Sequence, residues 1–165
     1  MRNIVLILLL AALLTGCGAA ETMETLGNVD HISPTQAPIR AVMLDLPADA
    51  AKDALSGEEG VTVYSCDNYM ILLQTFSGGN MVESVRKLSG FSPDALTVLE
   101  SACRDHKRYD WVWTAASDEG DMVCRGALLD DGKYHYALCA MALSVDAGAL
   151  KEEWNDLFSS FCLES

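Results

Sequence analysis

Positive charge is scarce in this chain of 165 residues. It has 11 lysines and arginines against 24 aspartates and glutamates, and its formal net charge at pH 7 is −13. A surface with this balance repels nucleic acid phosphates and anionic lipid headgroups. We therefore expect no nucleic acid partner, and basic side chains are too few to hold the protein on a membrane.

Motifs that carry known chemistry are also missing. The sequence has no C-x-x-C, no G-x-S-x-G and no glycine-rich loop of the phosphate-binding kind. Cys103-x-x-His106 is the only spacing of a metal-site type, and a zinc site needs four ligands, or three and a water. The acidic turn at residues 118–121 lacks the spaced ligands of a calcium loop. The sequence thus predicts no catalytic residues, no metal site and no cofactor.

Apolar runs long enough to cross a bilayer are absent as well. The run from Ile4 to Leu14 is about half of the roughly 20 residues that a membrane span requires. It follows Arg2, the order of a secretory signal. It ends in Leu14-Thr15-Gly16-Cys17, which resembles the cleavage motif of bacterial lipoprotein signals.

This resemblance implies a location. In lipoproteins the signal is removed before the cysteine, which carries the lipid and becomes the first residue of the mature chain. Residues 1–16 would then be the signal, and residues 17–38 the lipidated Cys17 and a flexible tether. Residues 39–165 would form a single domain. The protein is expected at a bacterial cell membrane, anchored through Cys17 and facing away from the cytoplasm.

The remaining pattern predicts an α+β domain in which an antiparallel sheet of about six or seven strands is covered by helices. A hairpin is expected about Asp67-Asn68, and Asn80 and Gly90 are placed to begin and end a short helix over residues 81–89. Apolar residues at helical spacing predict a long C-terminal helix over residues 146–161. The expected strands are residues 39–46, 61–66, 69–76, 96–103, 109–115, 122–129 and 134–143, and one helical turn is expected at 50–55.

The order of these elements resembles the PsbP/Mog1-like fold over residues 39–163. The closing helix, with Trp154, Phe158 and Ser160-Phe161, contributes to the resemblance. The resemblance implies a fold, and no functional residue of that family can be matched in this chain.

Aromatic residues of the strands could either fill the core or line a groove for a sugar or peptide. Core packing is expected for Trp111 and Trp113, because aromatic side chains beneath a packed helix are common. The sequence leaves Tyr134 and Tyr136 open between the two roles.

Five cysteines remain once Cys17 is set aside, so at least one thiol is unpaired within the chain. They are Cys66, Cys103, Cys124, Cys139 and Cys162. A two-residue or four-residue loop about Asp131-Gly132 would place Cys124 opposite Cys139, whereas a three-residue loop would separate them. The sequence therefore leaves a disulfide between Cys124 and Cys139 open against two buried thiols.

One loop concentrates basic residues in this acidic chain. Arg104, His106, Lys107 and Arg108 could hold an anionic ligand or an acidic partner. The alternative is charge compensation with Asp130 and Asp131, which a meander brings to the same end of the sheet.

These observations favour a binding or accessory module for a membrane or envelope complex. A small-solute-binding lipoprotein with a pocket on the sheet face is the alternative, and an enzyme comes third. An exposed apolar patch would favour a protein partner. A cleft with convergent polar groups would favour a solute. A histidine with a shifted pKa beside a carboxylate and a nucleophile would favour an enzyme.

Overall fold

The computed structural model describes residues 38–53 and 60–164. Within them the chain forms a seven-stranded antiparallel sheet, a separate two-stranded ribbon and short helices. The expected signal peptide, Cys17 and the tether up to residue 37 lie outside the described residues. The expected helical turn at 50–55 is wrong over its described part, because Ala51–Lys52 pair as a strand with Tyr64–Ser65; residues 54 and 55 lie outside the described residues.

The elements follow one another in this order: β1 (Val42–Met43), β2 (Ala51–Lys52), β3 (Val61–Ser65), β4 (Tyr69–Ser77), α1 (Met81–Ser89), a 3₁₀ helix (Pro93–Ala95), β5 (Val98–Ala102), β6 (Lys107–Ser117), β7 (Gly120–Asp130), β8 (Tyr134–Leu143), α2 (Ser144–Ala147), α3 (Lys151–Ser160) and β9 (Cys162–Leu163).

The main sheet has the order β2-β3-β4-β8-β7-β6-β5, with every pair antiparallel. β8 lies at its centre, and every residue of this strand except Leu143 is buried. Apolar side chains on both faces require cover on both sides of the sheet. α1 and α3 provide that cover, one on each face.

Alternation along the strands divides the core into two clusters. Trp111 and Trp113 face α1, where they pack with Val85 and Leu88, and their expected core role is confirmed. Tyr134 and Tyr136 are buried on the opposite face, which α3 covers. The four aromatic residues are therefore split between the two faces and do not line a common groove.

Two local predictions are confirmed. Ser65 lies opposite Met70, so the hairpin turns about Asp67-Asn68. The side chain of Asn80 accepts a hydrogen bond from the backbone N–H of Val82 at 3.0 Å, and Gly90 ends α1 with a left-handed φ of 79°. The turn and the helix caps depend only on neighbouring residues, so they can be predicted from the sequence.

The long C-terminal helix is a wrong prediction. The chain instead forms the four residues of α2 and the ten residues of α3, separated by residues 148–150. The N–H of Ala149 bonds to the carbonyl of Asp146, which closes a tight turn before α3 begins. Phe161 lies beyond α3 in extended backbone and is buried with the apolar side chains of the helix. The apolar pattern therefore extends past the end of the helix.

The expected first strand over residues 39–46 is also wrong in length and place. Only Val42–Met43 is a strand, and it pairs with Cys162–Leu163 outside the main sheet. The guanidinium of Arg40 reinforces this pairing by donating to the carbonyl of Glu164 at 2.6 Å. The partner of β1 is the far end of the chain, which no local pattern identifies.

Neither of the two registers that the sequence left open for β7 and β8 occurs in the structure. Cys124 lies opposite Met141, Cys139 lies opposite Gly126, and both thiols are free. The side chain of Asp131 accepts hydrogen bonds from the N–H groups of Lys133 and Tyr134, at 2.8 and 2.7 Å, and so moves the turn to Gly132-Lys133. Diagonal partners on one face are farther apart than the roughly 3.8 Å between the Cβ atoms of a disulfide.

We expect Phe158→Ala to lower the free energy of unfolding by about 3–5 kcal/mol, because Phe158 is fully buried between α3 and the sheet. Chemical denaturation of the full chain measures this change. Val145→Ala is the control, since Val145 is 84% exposed and its loss should leave stability nearly unchanged. Similar small effects for both variants would contradict the packing of α3 on the core.

Candidate functional site

Arg108, one of the three basic residues proposed for anion binding, serves the fold. Its guanidinium binds both carboxylate oxygens of Asp110, at 2.7 and 2.9 Å. The same group donates to the carbonyls of Phe158 and Phe161, at 2.9 and 3.0 Å. These carbonyls lie at the C-terminal end of α3, where helical acceptors lack partners within the helix. Arg108 therefore fastens α3 to β6 and is not available to a ligand.

The rest of the basic loop is balanced by carboxylates. Lys107 forms an ion pair with Glu100 at 2.9 Å, which raises the pKa of the lysine. Asp105 accepts from His106 at 2.9 Å and pairs with Arg40 at 2.7 Å, and these contacts lower its pKa. Arg104 is exposed and forms no ion pair with any described residue. This geometry favours charge compensation over an anion site.

Charge compensation uses partners that the sequence did not indicate. β6 does bring Lys107 opposite Asp130, as the meander predicts. The ion pairs are nevertheless formed by other carboxylates: Lys107 pairs with Glu100, Arg108 with Asp110, and Arg40 with Asp105. Asp131 instead accepts a hydrogen bond from the hydroxyl of Tyr136 at 3.0 Å.

Ser84, His135 and Asp130 form a row of the residue types found in hydrolase triads. The hydroxyl of Ser84 lies 2.7 Å from Nδ1 of His135, and Oδ1 of Asp130 lies 3.6 Å from Nε2. The second distance exceeds a hydrogen bond, and Nε2 is buried without a partner among the described residues. His135 has no exposed surface, so this row offers no route for a substrate. It is a buried polar cluster beneath α1.

The surface of the protein carries a groove of about 760 Å³ beside β6. It exists because pairing between β5 and β6 stops at Val98 and Trp111. Before Val98 the chain leaves the sheet, and Pro93 begins the 3₁₀ helix. Residues 112–117 of β6 thus pair with β7 on one side, and on the other side Val112, Trp113 and Thr114 border the groove.

Apolar side chains dominate the groove. Leu99 is 66% exposed, Val112 is 56% exposed and Phe91 is 42% exposed, while the buried Trp111 and Trp113 border it from within the sheet. Leu99 lies opposite Asp110, two residues from Val112, so the two aliphatic side chains are diagonal neighbours on one face. The face is uncovered there because α3 packs nearer the centre of the sheet.

The charged groups at the groove are already engaged. The guanidinium of Arg125 lies over the ring of Phe158, 4.2 Å from its centroid, and donates to Oδ1 of Asn155 at 2.9 Å. Burial lowers the pKa of Arg125. Asp110 binds Arg108. The groove therefore offers apolar contact more than a set of free polar groups.

Two other cavities are smaller. One of about 250 Å³ is bordered by Arg40, Thr62 and Tyr136, and one of about 40 Å³ lies at the Asp67-Asn68 turn. No cluster of three potential metal ligands occurs within residues 38–53 and 60–164. In the same ranges no helix has the length and apolar character needed to span a membrane.

The architecture defines a PsbP/Mog1-like α+β domain, and comparison with solved structures supports this assignment. LpqN, involved in cell envelope biogenesis of Mycobacterium tuberculosis, aligns with a TM-score of 0.52 and 12% identity, over 80% of this chain and 88% of LpqN. CyanoP, the PsbP of Synechocystis sp. PCC 6803, aligns with a TM-score of 0.55 and 10% identity, over 84% and 99% of the two chains.

The Ran-binding protein Mog1p of Saccharomyces cerevisiae aligns with a TM-score of 0.51 and 10% identity, over 74% of this chain and 90% of Mog1p. No protein-family profile matches the chain, and no curated protein matches it significantly. At these identities the likeness establishes the fold alone. The predicted PsbP/Mog1-like fold is thereby confirmed.

We expect stability to fall as the pH drops below about 6.5, because burial lowers the pKa of His135 from its ordinary value of 6.5. Below that pH the unfolded chain binds a proton that the folded chain does not, until the folded-state pKa is reached. Denaturation midpoints at pH about 7.5 and about 5.5 measure the loss.

His135→Gln should reduce this loss, and His106→Gln is the matched control that should retain it. Asp105 does not interfere, because its pKa is lowered from 3.8 and its titration lies well below this range. An unchanged loss in His135→Gln would contradict the assignment of the effect to His135.

Proposed function

We propose that this protein is a lipid-anchored accessory protein of the bacterial cell envelope, which binds another protein through the groove beside β6. The observation that carries the proposal is the exposure of Leu99 and Val112 on an uncovered face of the sheet. Exposed apolar side chains cost free energy in water, and a partner that covers them recovers it.

The proposed anchor rests on Leu14-Thr15-Gly16-Cys17 and on the charge of the chain. A net charge of −13 opposes adsorption to anionic membranes, so a covalent lipid would have to supply the attachment. A tether of about 20 residues would span roughly 25 Å and hold the domain clear of the headgroups.

Binding is favoured over catalysis because the histidine and serine that lie together are enclosed and Arg108 is occupied. His135 is buried against Ser84 of α1, and Arg108 holds α3. The envelope role of LpqN is compatible with the proposal, since its domain has the same fold.

A small solute is the second candidate ligand. The groove volume of about 760 Å³ falls within the range of small-molecule sites. Such sites combine apolar walls with free polar groups, whereas Arg125 and Asp110 are engaged with neighbouring side chains. We therefore favour a protein partner.

We expect Cys17→Ala to release the protein from membranes, because the variant cannot carry the lipid. Cell fractionation with high-salt and alkaline washes measures release. Cys103→Ala is the matched control and should remain bound, since Cys103 is an exposed thiol of the folded domain. Retention of Cys17→Ala on washed membranes would contradict the anchor.

The partner can be sought by introducing a photo-reactive amino acid into the anchored protein in intact cells. At Val112 we expect one dominant protein adduct, because this position borders the groove. At Val145, which is 84% exposed on α2, we expect none. Absence of an adduct at Val112, or the same adducts at both positions, would overturn the proposal and favour a solute, to be screened by thermal shift.

A further inference from the structure

We infer that residues 112–117 of β6 receive an extended, basic segment of the partner as an added β-strand. The inference rests on the proposed function and specifies the chemistry of its partner. Strand addition of this kind draws affinity from main-chain hydrogen bonds and selectivity from alternate side chains.

Within residues 38–53 and 60–164, no strand pairs with residues 112–117 of β6 on the side of the groove, so the backbone of β6 presents a free edge there. Ser117 and Gly120 close a two-residue hairpin, and a closing pair of this type is hydrogen-bonded. Pairing alternates from there, so Val112, Thr114 and Ala116 direct their N–H and C=O groups away from β7. On that side β5 begins at Val98, which lies opposite Trp111, so β5 does not reach residues 112–117.

The segment lacks the features that usually protect an edge strand. Natural edges carry charges or proline, or are very short. Residues 112–117 read Val-Trp-Thr-Ala-Ala-Ser, with neither charge nor proline, and Val112, Thr114 and Ala116 are exposed. The opposite edge of the sheet, by contrast, is the two-residue strand β2.

Charge at one end of the free edge selects a basic occupant. Asp118, Glu119 and Asp121 surround the turn that follows residues 112–117, whereas Asp110 at the other end is paired with Arg108. Arg125 is the basic residue that lines the groove, and it is held by Phe158 and Asn155. A basic segment would therefore gain favourable contacts at the acidic turn.

The same charges disfavour a second copy of this chain. Antiparallel pairing of two β6 edges about Thr114 would set Asp110 of each copy against Asp118 of the other. Each copy also carries a net charge of −13. The occupant is thus an extended segment of another protein, about six residues long, with basic side chains.

The probe is a fluorescent peptide of about ten residues that alternates lysine with valine. Its controls are the same peptide with glutamate in place of lysine and the lysine peptide N-methylated at alternate residues. Anisotropy titrations use the full chain in detergent. We expect the unmethylated lysine peptide to bind at least about tenfold more tightly than either control. Comparable binding of the methylated peptide, or no binding up to millimolar concentration, overturns strand addition.

Thr114→Pro removes an N–H group that points into the groove and should weaken binding of the lysine peptide at least about tenfold. Thr114→Val is the matched control and should bind like the wild type. If Thr114→Pro fails to fold, as judged by circular dichroism, Val112→Lys and Val112→Glu replace it. The lysine variant should then bind the peptide more weakly than the glutamate variant, and equal affinities overturn the inference.

Amide hydrogen exchange locates the bound peptide. Thr114 should gain protection on binding, whereas Ala115, already paired with Met122 of β7, should not change. Protection elsewhere without protection of Thr114 overturns the inference. If the peptide fails while Val112 still captures one dominant partner in cells, strand addition is wrong and the accessory role stands. If both fail, the proposed function falls as well.

Discussion

The burial of β8 on both faces is the constraint on which the rest of the structure depends. A strand without a solvent face requires a covering layer on each side of the sheet. The two layers are short: α3 has ten residues and is roughly 15 Å long, whereas seven strands span roughly 29 Å. The helices cover the centre, and the face of β5 and β6 next to α3 remains open. The groove lies where this open face meets the point at which β5 leaves β6.

The polar residues that could have served chemistry instead maintain this arrangement. Arg108 joins the end of α3 to β6, and Asp131 closes the turn between β7 and β8. His135 lies with Ser84 under α1, where burial favours its neutral form. The proposed binding uses other features, namely the apolar groove and the open strand edge of β6.

The solved structures that share this fold differ from this chain at nearly nine positions in ten, and they have different described roles. LpqN is involved in envelope biogenesis, and Mog1p is a Ran-binding protein. The fold therefore supplies a common framework, and the proposed partner surface of this chain is residues 112–117 with the acidic turn that follows them. This is the expected relation between a widely used fold and its functions.

The sequence by itself determined the α+β class, α1, the Asp67-Asn68 hairpin and the strands of the meander. These features depend on alternation, capping and turn residues within a few positions of one another, so a short stretch of sequence predicts them. The tertiary structure alone decided the pairing of β1 with β9, the break before α3, the β7–β8 register and the point where β5 leaves β6. From this last point comes the candidate site, which the sequence did not reveal. Each of these outcomes depends on which distant segments pack together. Arg40, for example, binds Glu164, which is 124 positions away in the sequence. A pattern of neighbouring residues does not identify such a partner.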